Sequence, residues 1–211
     1  APKGDQFRGK VWLGITTSDN DGPVVEYERC ALVRGRGPGQ PGHADNIPGP
    51  SDPSPLADLA DLVPAWELKG LPATDWLTGD ARVDPLRDHV DLAAPLARLT
   101  FNQAAVHRDV TLTANGRRLV YGGHVQGLAQ GSLTRMLPGL ATIVAWDGCD
   151  HIGPAYEGDL IEFCHTPIDQ IAAGSGRLTR FEVIGTKIAD GAEGAVDPVN
   201  ILRWTPIVWA P

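Results

Sequence analysis

The chain has too few positive charges, relative to its negative ones, to present a basic face to nucleic acid. It contains 18 Lys and Arg against 26 Asp and Glu, which gives a formal net charge of -8 at pH 7 and a pI of about 5.1. Nucleic-acid-binding domains concentrate positive charge on one face. We therefore expect no nucleic-acid partner.

Long apolar runs and cysteines are also scarce. No apolar run approaches the roughly 20 residues that cross a bilayer, and no signal peptide opens the sequence, so no membrane partner is expected. The three cysteines are odd in number and lack the spacing of a disulfide framework. A reducing compartment, the cytoplasm, is the simplest expectation.

Glycine and proline, by contrast, are abundant, with 25 and 18 copies, whereas aromatic residues make up only 6% of the chain. Many of them fall within residues 36–64, where prolines interrupt both helices and sheet ladders. The composition predicts a linker, with a possible short helix at SPLADLADL. The interrupting prolines, and the absence of a strand–turn–helix context, exclude a dinucleotide-binding fingerprint.

Two stretches predict β-hairpins, one at each end of the chain. VWLGITT and VVEYERCALV flank the turn DNDG, and RLTRFEVIGTKIADG is followed by VNILRWTPIVWAP. Pro206 in the last strand favours an edge or a bulge. The likeness of the two hairpins suggests a duplicated module whose first copy is present only as its last two strands; the alternative is that two hairpins merely look alike.

The segment between linker and last hairpin mixes helical and strand patterns. Helix starts are predicted near Asp84-Pro85 and near Asp91. The longest helix is predicted from about Gly123 to Leu137, with an apolar stripe at helical spacing: Val125, Leu128, Ala129, Leu133 and Met136. LATIVAW predicts a strand, DGCDHIGPAYEGD a loop and LIEFCHTPI another strand. The pattern indicates an α+β unit with one helix packed on a curved antiparallel sheet.

Proton-transfer chemistry has one candidate segment, FNQAAVHRD. His107 and Asp109 lie two residues apart and would share one side of an extended backbone, where a carboxylate can orient an imidazole. Asn102 cannot act as a base, but its amide can hold a water or a carbonyl. The alternative is an exposed polar loop without catalytic function.

Gly122 and Gly123 precede the long helix, whose N-terminus presents unpaired N–H groups and a partial positive charge. Such an end can stabilise an enolate or oxyanion. The glycines are equally compatible with a tight turn or close packing, and His124 in the first turn is compatible with either a site or a packed neighbour.

Other catalytic chemistries are poorly represented. Cys149, His151, Cys164 and His165 do not match a zinc-site spacing, so no metal is expected. Ser132 lies inside the predicted helix and outside any G-x-S-x-G elbow, which argues against a serine hydrolase.

Three motifs in this order, VHRD, RRLVYGGHVQGLAQG and HIGPAYEGDLIEF, resemble the MaoC-like hydratase/dehydratase family, particularly its double-hotdog branch, which includes mesaconyl-CoA hydratases. The resemblance covers roughly residues 65–211. It implies a hotdog fold, in which an antiparallel sheet wraps a long helix. Residues 1–35 would then hold the C-terminal strands of an incomplete first hotdog module, residues 36–64 the linker, and residues 65–211 a complete module.

The resemblance also implies an enzyme that adds or removes water at a 2-enoyl or 3-hydroxyacyl thioester of CoA or an acyl carrier, with no further cofactor. His107 would transfer the proton, Asn102 would position the water and Asp109 would orient the imidazole. Substrate binding would fall to the N–H groups at the helix start and to nearby side chains. The residues expected there are Tyr121, Gly122, Gly123, His124 and Arg118.

One position departs from the general family, which has an Asp where this chain has Asn102, so Asp109 is a candidate either for the missing carboxylate role or for a buried partner that orients His107. The departure keeps a second hypothesis open, namely a non-catalytic hotdog subunit that binds an acyl thioester or completes the sheet of a partner chain. In either case the resemblance implies a homodimer or hetero-oligomer formed through pairing of hotdog sheets.

Overall fold

The computed structural model describes residues 8–35, 46, 52–63, 68, 70–73, 75–113, 115–191 and 194–211. The chain divides into two compact units, Ala1–Pro50 and Ser51–Pro211. Much of the predicted linker lies outside the described residues. In the ranges just given, no helix combines the length and apolar character needed to span a membrane.

The first unit contains the predicted N-terminal hairpin. Strands β1 (Arg8–Asp19) and β2 (Gly22–Arg34) pair in antiparallel register with a bulge between Thr17 and Ser18. Gly22 closes the turn at a φ of +130°, which disfavours other residues. The hairpin is confirmed, while its assignment to a first hotdog module stays a prediction.

The second unit is built on an antiparallel sheet in the order β3-β6-β7-β8-β5, with β4 also pairing with β6. The helices over this unit are α1 (Leu56–Ala60), α2 (Ala93–Leu99) and the long α3 (Gly122–Met136). The strands are β3 (Arg82–Val83), β4 (Asp88–His89), β5 (Thr142–His151), β6 (Leu160–Ala173), β7 (Gly176–Asp190) and β8 (Gly194–Ala210). The predicted α+β class is confirmed.

Helix α3 packs its apolar stripe against the sheet. Val125, Ala129 and Leu133 are at most 3% exposed, and Leu128 and Met136 pack at the edge of the same core. The facing side chains come from the central strands and include Phe163, Phe181, Val183, Leu202 and Trp204. The helix starts and ends one residue earlier than the spacing predicted, within the usual uncertainty of helix boundaries.

Three predictions about individual elements need correction. Asp84-Pro85 does not start a helix, because the Asp84 carboxylate accepts the Leu86 N–H at 2.9 Å and forms a turn. The predicted loop beginning at Asp147 is instead strand up to His151, paired with β8. Pro206 lies in an interior strand rather than at an edge, although the predicted bulge is confirmed between Trp146 and Gly148, opposite the proline.

The end of the predicted linker packs on the sheet. The short helix predicted there is α1, and its Leu56 is 2% exposed in a second apolar cluster with Leu178, Ile207 and Trp209. The guanidinium of Arg180, itself buried, binds the carbonyl of Ser54 and the carboxylates of Asp147 and Asp169. Residues 54–60 therefore belong physically to the second unit.

A polar network is buried between α3 and the sheet. The Ser132 hydroxyl donates to Asp84 at 2.6 Å and lies 2.8 Å from Nε2 of His165. Because the single hydroxyl proton goes to the carboxylate, Nε2 of His165 carries a proton and donates to Ser132. Nδ1 is then a bare acceptor, and this buried atom has no hydrogen-bond partner in the described chain. His165 is consequently held neutral.

The fold should lose stability in mild acid because of His165. Burial, outweighing the nearby Asp84 carboxylate, lowers the pKa of His165 to about 4. An unfolded imidazole has the ordinary pKa of about 6.5, so below that pH it binds a proton while the buried ring of the folded protein stays neutral. The free energy of unfolding therefore falls by about 3 kcal/mol by pH 4. Urea unfolding across this pH range measures the effect.

His165→Gln is the matched variant, because its amide keeps a donor for Ser132 and cannot titrate. Its unfolding free energy should depend less on pH over the same window. Parallel curves for the two proteins would show that His165 does not carry the acid sensitivity.

Candidate active site

His107 ends a 3₁₀ helix, Ala105–His107, and its ring is fixed by the backbone. Nδ1 lies 2.8 Å from the carbonyl oxygen of Leu119, two residues before Tyr121. A carbonyl only accepts hydrogen bonds, so Nδ1 carries the proton of the neutral ring and Nε2 keeps its lone pair. The arrangement prepares His107 to accept a proton at Nε2.

The N-terminus of α3 lies beside this imidazole. Tyr121 occupies the N-cap position, and its ring centroid is 6.1 Å from that of His107 and 6.3 Å from that of His124. Within the described chain, the N–H groups of Gly122 and Gly123 donate no hydrogen bond, whereas that of His124 binds the Tyr121 carbonyl. Two free donors thus stand at the positive end of the helix.

Close packing requires both glycines. Both lie within α3 and neither has a positive φ, so their backbone conformation does not by itself require glycine. A Cβ on Gly122 would lie 2.3 Å from Nε2 of His151, and one on Gly123 would lie 2.6 Å from Cε2 of Tyr121. The absence of side chains here brings imidazole and phenol rings directly onto the helix start, and it leaves the N–H groups uncovered by any Cβ.

Gly122→Ala should lower the free energy of unfolding by at most about 1 kcal/mol, because the new methyl group displaces the exposed ring of His151. The double variant with His151→Ala should recover most of that loss. The control is Gly127→Ala in the same helix, where a Cβ meets nothing within 4 Å; it should gain about 0.5–1 kcal/mol. Urea unfolding measures all of these, and equal values for Gly122→Ala and Gly127→Ala would contradict the packing argument.

Asp109 is placed differently from the prediction. Its carboxylate caps the 3₁₀ helix Val110–Leu112, accepting the N–H of Thr111 at 2.9 Å and its hydroxyl at 2.6 Å. These two bonds lower the pKa of the exposed Asp109 carboxyl. The ring of His107 is oriented by the Leu119 carbonyl instead, so the role of orienting it does not fall to Asp109. The predicted shared face fails because this segment is coiled and not extended.

Asn102 sits at the start of the same loop. Its side-chain oxygen accepts the N–H of Ala104 at 2.9 Å, and its carbonyl accepts Nη2 of Arg108 at 2.5 Å. The amide NH₂ is the part of the side chain left for a water or a carbonyl. Its role in positioning water stays a prediction.

Arg118 forms hydrogen bonds that fix the loop containing His107. Its Nε donates to Glu157 at 2.9 Å, and Nη1 donates to the carbonyl of Arg108. With the bond between His107 and Leu119, this contact joins residues 107–108 to residues 118–119 at adjacent positions. Its predicted part in substrate binding stays untested, while its part in fixing the loop is given by these contacts.

His124 is 6% exposed in the first turn of α3, and burial lowers its pKa. Its Nδ1 is buried without a hydrogen-bond partner among the described residues. Like His165, it is held as a neutral ring, but here the ring neighbours Tyr121 at the start of the helix. A role in substrate binding stays a prediction.

No family model matches the chain. Among curated proteins, the chain is 32% identical over 182 residues to a mesaconyl-CoA hydratase of Cereibacter sphaeroides, covering 77% of this chain and 50% of the relative. It is 29% identical over 232 residues to a beta-methylmalyl-CoA dehydratase of Chloroflexus aurantiacus, covering 98% and 66%. The chain thus spans about half to two thirds of the length of these relatives.

Solved structures with a hotdog fold also match the chain. A protein of Mycobacterium tuberculosis with a double hotdog fold matches at a TM-score of 0.72 and 31% identity, over 99% of this chain and 65% of that one. A protein described as a MaoC-domain dehydratase, from Chloroflexus aurantiacus, matches the fold at a TM-score of 0.80 and 24% identity, over 97% and 65%. The chain is a MaoC-like hotdog protein.

Two residues beside this hotdog's site, Cys149 and His151, were considered in the sequence only as metal ligands and not as neighbours of the helix start. His151 packs on Gly122, and Sγ of Cys149 lies 3.9 Å from its Nε2. Burial raises the pKa of the Cys149 thiol to about 11, so it stays protonated, and burial lowers the pKa of His151. Both lie at the end of β5, in the stretch predicted as a loop. The β-bulge there disturbs the alternation that would have revealed the strand.

In the described ranges of the MaoC-like chain, no three His, Cys, Asp or Glu side chains cluster as metal ligands would. Cys164 and His165 face opposite sides of β6, with His165 buried and Cys164 partly exposed.

Proposed function

We propose that the chain carries the hydratase/dehydratase site of an enzyme that adds water to, or removes it from, a 2-enoyl thioester of CoA or an acyl carrier. The observation that carries the proposal is the 2.8 Å contact between Nδ1 of His107 and the Leu119 carbonyl, which fixes the tautomer of the neutral ring. Its Nδ1–H donates to the Leu119 carbonyl, so the lone pair at Nε2 is available next to a helix N-terminus whose Gly122 and Gly123 N–H groups have no partner among the described residues.

In the hydration direction, Nε2 of His107 takes a proton from water while the water oxygen bonds to C3 of the enoyl group. The C2=C3 electron pair moves toward the thioester, and the resulting enolate oxygen accepts the N–H groups of Gly122 and Gly123. The imidazolium then returns a proton to C2, which completes the addition of one water. Dehydration is the reverse sequence.

The electrostatic setting supports this assignment. The helix N-terminus favours negative charge on the thioester oxygen, which exists only in the enolate and not in the substrate. The Leu119 carbonyl stabilises the imidazolium that forms transiently. Asn102 contributes an amide donor that can hold the water, a task that does not require the Asp of the general family.

The curated relatives are named a mesaconyl-CoA hydratase and a beta-methylmalyl-CoA dehydratase, and both names support a CoA thioester over a carrier-bound one. The expected assay follows loss of the enoyl absorbance of crotonyl-CoA and mesaconyl-CoA. A parallel assay measures free thiol. Loss of enoyl absorbance without release of thiol supports a hydratase, whereas release of thiol identifies a thioesterase. The absence of both signals favours the non-catalytic subunit.

We also propose that the protein acts in the cytoplasm and as an oligomer paired through its sheets. The three cysteines are free, and β5 forms one end of the sheet in the described chain. An uncovered strand can pair with another hotdog. Light scattering of the purified protein should give a mass of at least two chains or a co-purifying partner, and a stable monomer would contradict the proposal.

A further inference from the structure

Three imidazoles lie around the start of α3, and the proposed chemistry uses one of them. His107 is held by the Leu119 carbonyl, and His124 is only 6% exposed within the first turn. His151, at the end of β5, has an exposed side chain. It is therefore a second imidazole that a bound substrate can reach.

The ring of His151 points with its Nε2 end at the helix. A Cβ on Gly122 would lie 2.3 Å from Nε2 of His151, 2.6 Å from its Cδ2 and 2.8 Å from its Cε1. Because a Cβ is two bonds from the backbone nitrogen of its own residue, Nε2 lies within about 5 Å of the Gly122 nitrogen. The N–H group of Gly122 has no partner in the described chain. His151 thus adjoins the donor proposed to hold the thioester oxygen.

The backbone on either side of this imidazole is fixed by the sheet. His151 pairs with Leu202 of β8. The N–H groups of Ile152 and Gly153 donate to the carbonyl of Ile201 at 3.0 and 3.3 Å. The ring is therefore carried by a strand end, and a donor held in place in this way needs little reorganisation when charge develops beside it.

Nε2 of His151 makes a poor polar contact within the described chain. Sγ of Cys149 lies 3.9 Å away, and a thiol is only a weak hydrogen-bonding partner. Burial of the ring tip against α3 lowers the pKa of His151, although the Asp150 carboxylate acts in the opposite direction. The ring is thus mainly neutral at pH 7, and its Nε2 can exchange the sulfur for an oxygen of the substrate.

We infer that His151 is a second catalytic imidazole, which donates from Nε2–H to the thioester oxygen alongside the N–H groups of Gly122 and Gly123. This inference rests on the proposed function, because the oxygen becomes an enolate when water adds to C3. Donors that converge on one point repel one another until a negative oxygen arrives, so their bonds strengthen in the transition state. His151 acts on this oxygen, whereas His107 acts on the water and on C2.

The first test is kinetic and uses crotonyl-CoA. His151→Phe keeps a ring in the same place but has no donor. It should lower kcat for hydration about 10²-fold, the lower end of the loss for one oxyanion-hole donor, because the ring is exposed to water. KM should change by less than about threefold, since the bond is made mainly in the transition state. His151→Gln keeps an N–H group on its side chain and should recover about tenfold of the loss.

The matched control is His89→Phe, the same substitution at an exposed imidazole of β4. Its kcat should equal that of the wild type. Urea unfolding of all these proteins checks that the change in turnover does not come from a loss of folded protein.

The second test needs no turnover. Acetoacetyl-CoA ionises to an enolate that absorbs in the near ultraviolet, where its keto form does not, and butyryl-CoA stays un-ionised. The wild type should raise the enolate-to-keto ratio of bound acetoacetyl-CoA. His151→Phe should lower that ratio about 10- to 100-fold, with the Kd for butyryl-CoA unchanged.

Other outcomes overturn the inference in distinct ways. Unchanged kcat and enolate ratio in His151→Phe would remove His151 from the chemistry and leave hydration by the wild type standing. Equal losses of kcat, enolate ratio and butyryl-CoA affinity would make it a packing contact of the helix start. A change in the pH dependence of kcat, with its maximum kept, would make it a proton-transfer group instead of an oxygen donor. An enolate ratio that depends on His151 in a protein that does not hydrate crotonyl-CoA would sustain the donor role and defeat the proposed function.

Discussion

His107→Ala is expected to lower kcat/KM for enoyl-CoA hydration by about 10²- to 10⁴-fold, the usual contribution of a positioned general base. The loss should fall mainly on kcat, since Nε2 acts on water and does not hold the thioester. Enoyl absorbance measured at several substrate concentrations separates the two constants. The free energy of unfolding should change little, because His107 is only partly buried and makes one hydrogen bond to a carbonyl.

The control for this variant is His89→Ala, which removes an exposed imidazole from β4. That protein should keep its kcat. His107→Gln provides a further check, since its amide can still donate to Leu119 but offers no basic nitrogen. If His107→Gln retains wild-type turnover, the imidazole is not the base.

Asp84→Ala is expected to lower the free energy of unfolding by about 3–5 kcal/mol, as is usual when one partner of a buried charge pair is removed. The Asp84 side chain is 1% exposed and accepts hydrogen bonds from Leu86, Ser132 and Arg135. Burial by itself would raise the pKa of Asp84, but these three donors outweigh it and hold the pKa below the ordinary value. All three donors lose their acceptor in the variant.

A surface ion pair supplies the comparison for Asp84. Asp80 binds Arg82 at 2.5 Å, and the two side chains are 46% and 39% exposed. Asp80→Ala should cost at most about 1 kcal/mol. Urea unfolding of both variants near neutral pH gives the contrast, and similar losses would mean that the Asp84 network contributes no more than a surface pair.

The sequence predicted elements well where local pattern and tertiary structure agree. The stripe from Val125 to Met136 repeats at helical spacing, so α3 was predicted to within one residue at each end. Both terminal hairpins carry strand-rich runs around Asp- and Gly-containing turns, and both form. These elements can be predicted because the residues that are buried are also the ones whose spacing and local preference indicate the helix or strand.

Prediction failed where a side chain serves a distant partner. Asp84-Pro85 has the form of a helix start, yet Asp84 is buried against Ser132 and Arg135, some fifty residues away. Asp109 has the form of a partner for His107, yet it caps its own turn. The acceptor that does orient His107 is a backbone carbonyl, and every residue has one, so no sequence pattern could single out Leu119.

The most direct test of the central claim is hydration of crotonyl-CoA in ¹⁸O-labelled water, with the product analysed by mass spectrometry. The proposed chemistry predicts an intact 3-hydroxyacyl thioester carrying one ¹⁸O on C3, formed by the wild type and nearly absent with His107→Ala. A recovered enoyl thioester, or free acid labelled in its carboxyl group, would contradict hydration at this site. Equal labelling by the His107→Ala protein would contradict the role of His107.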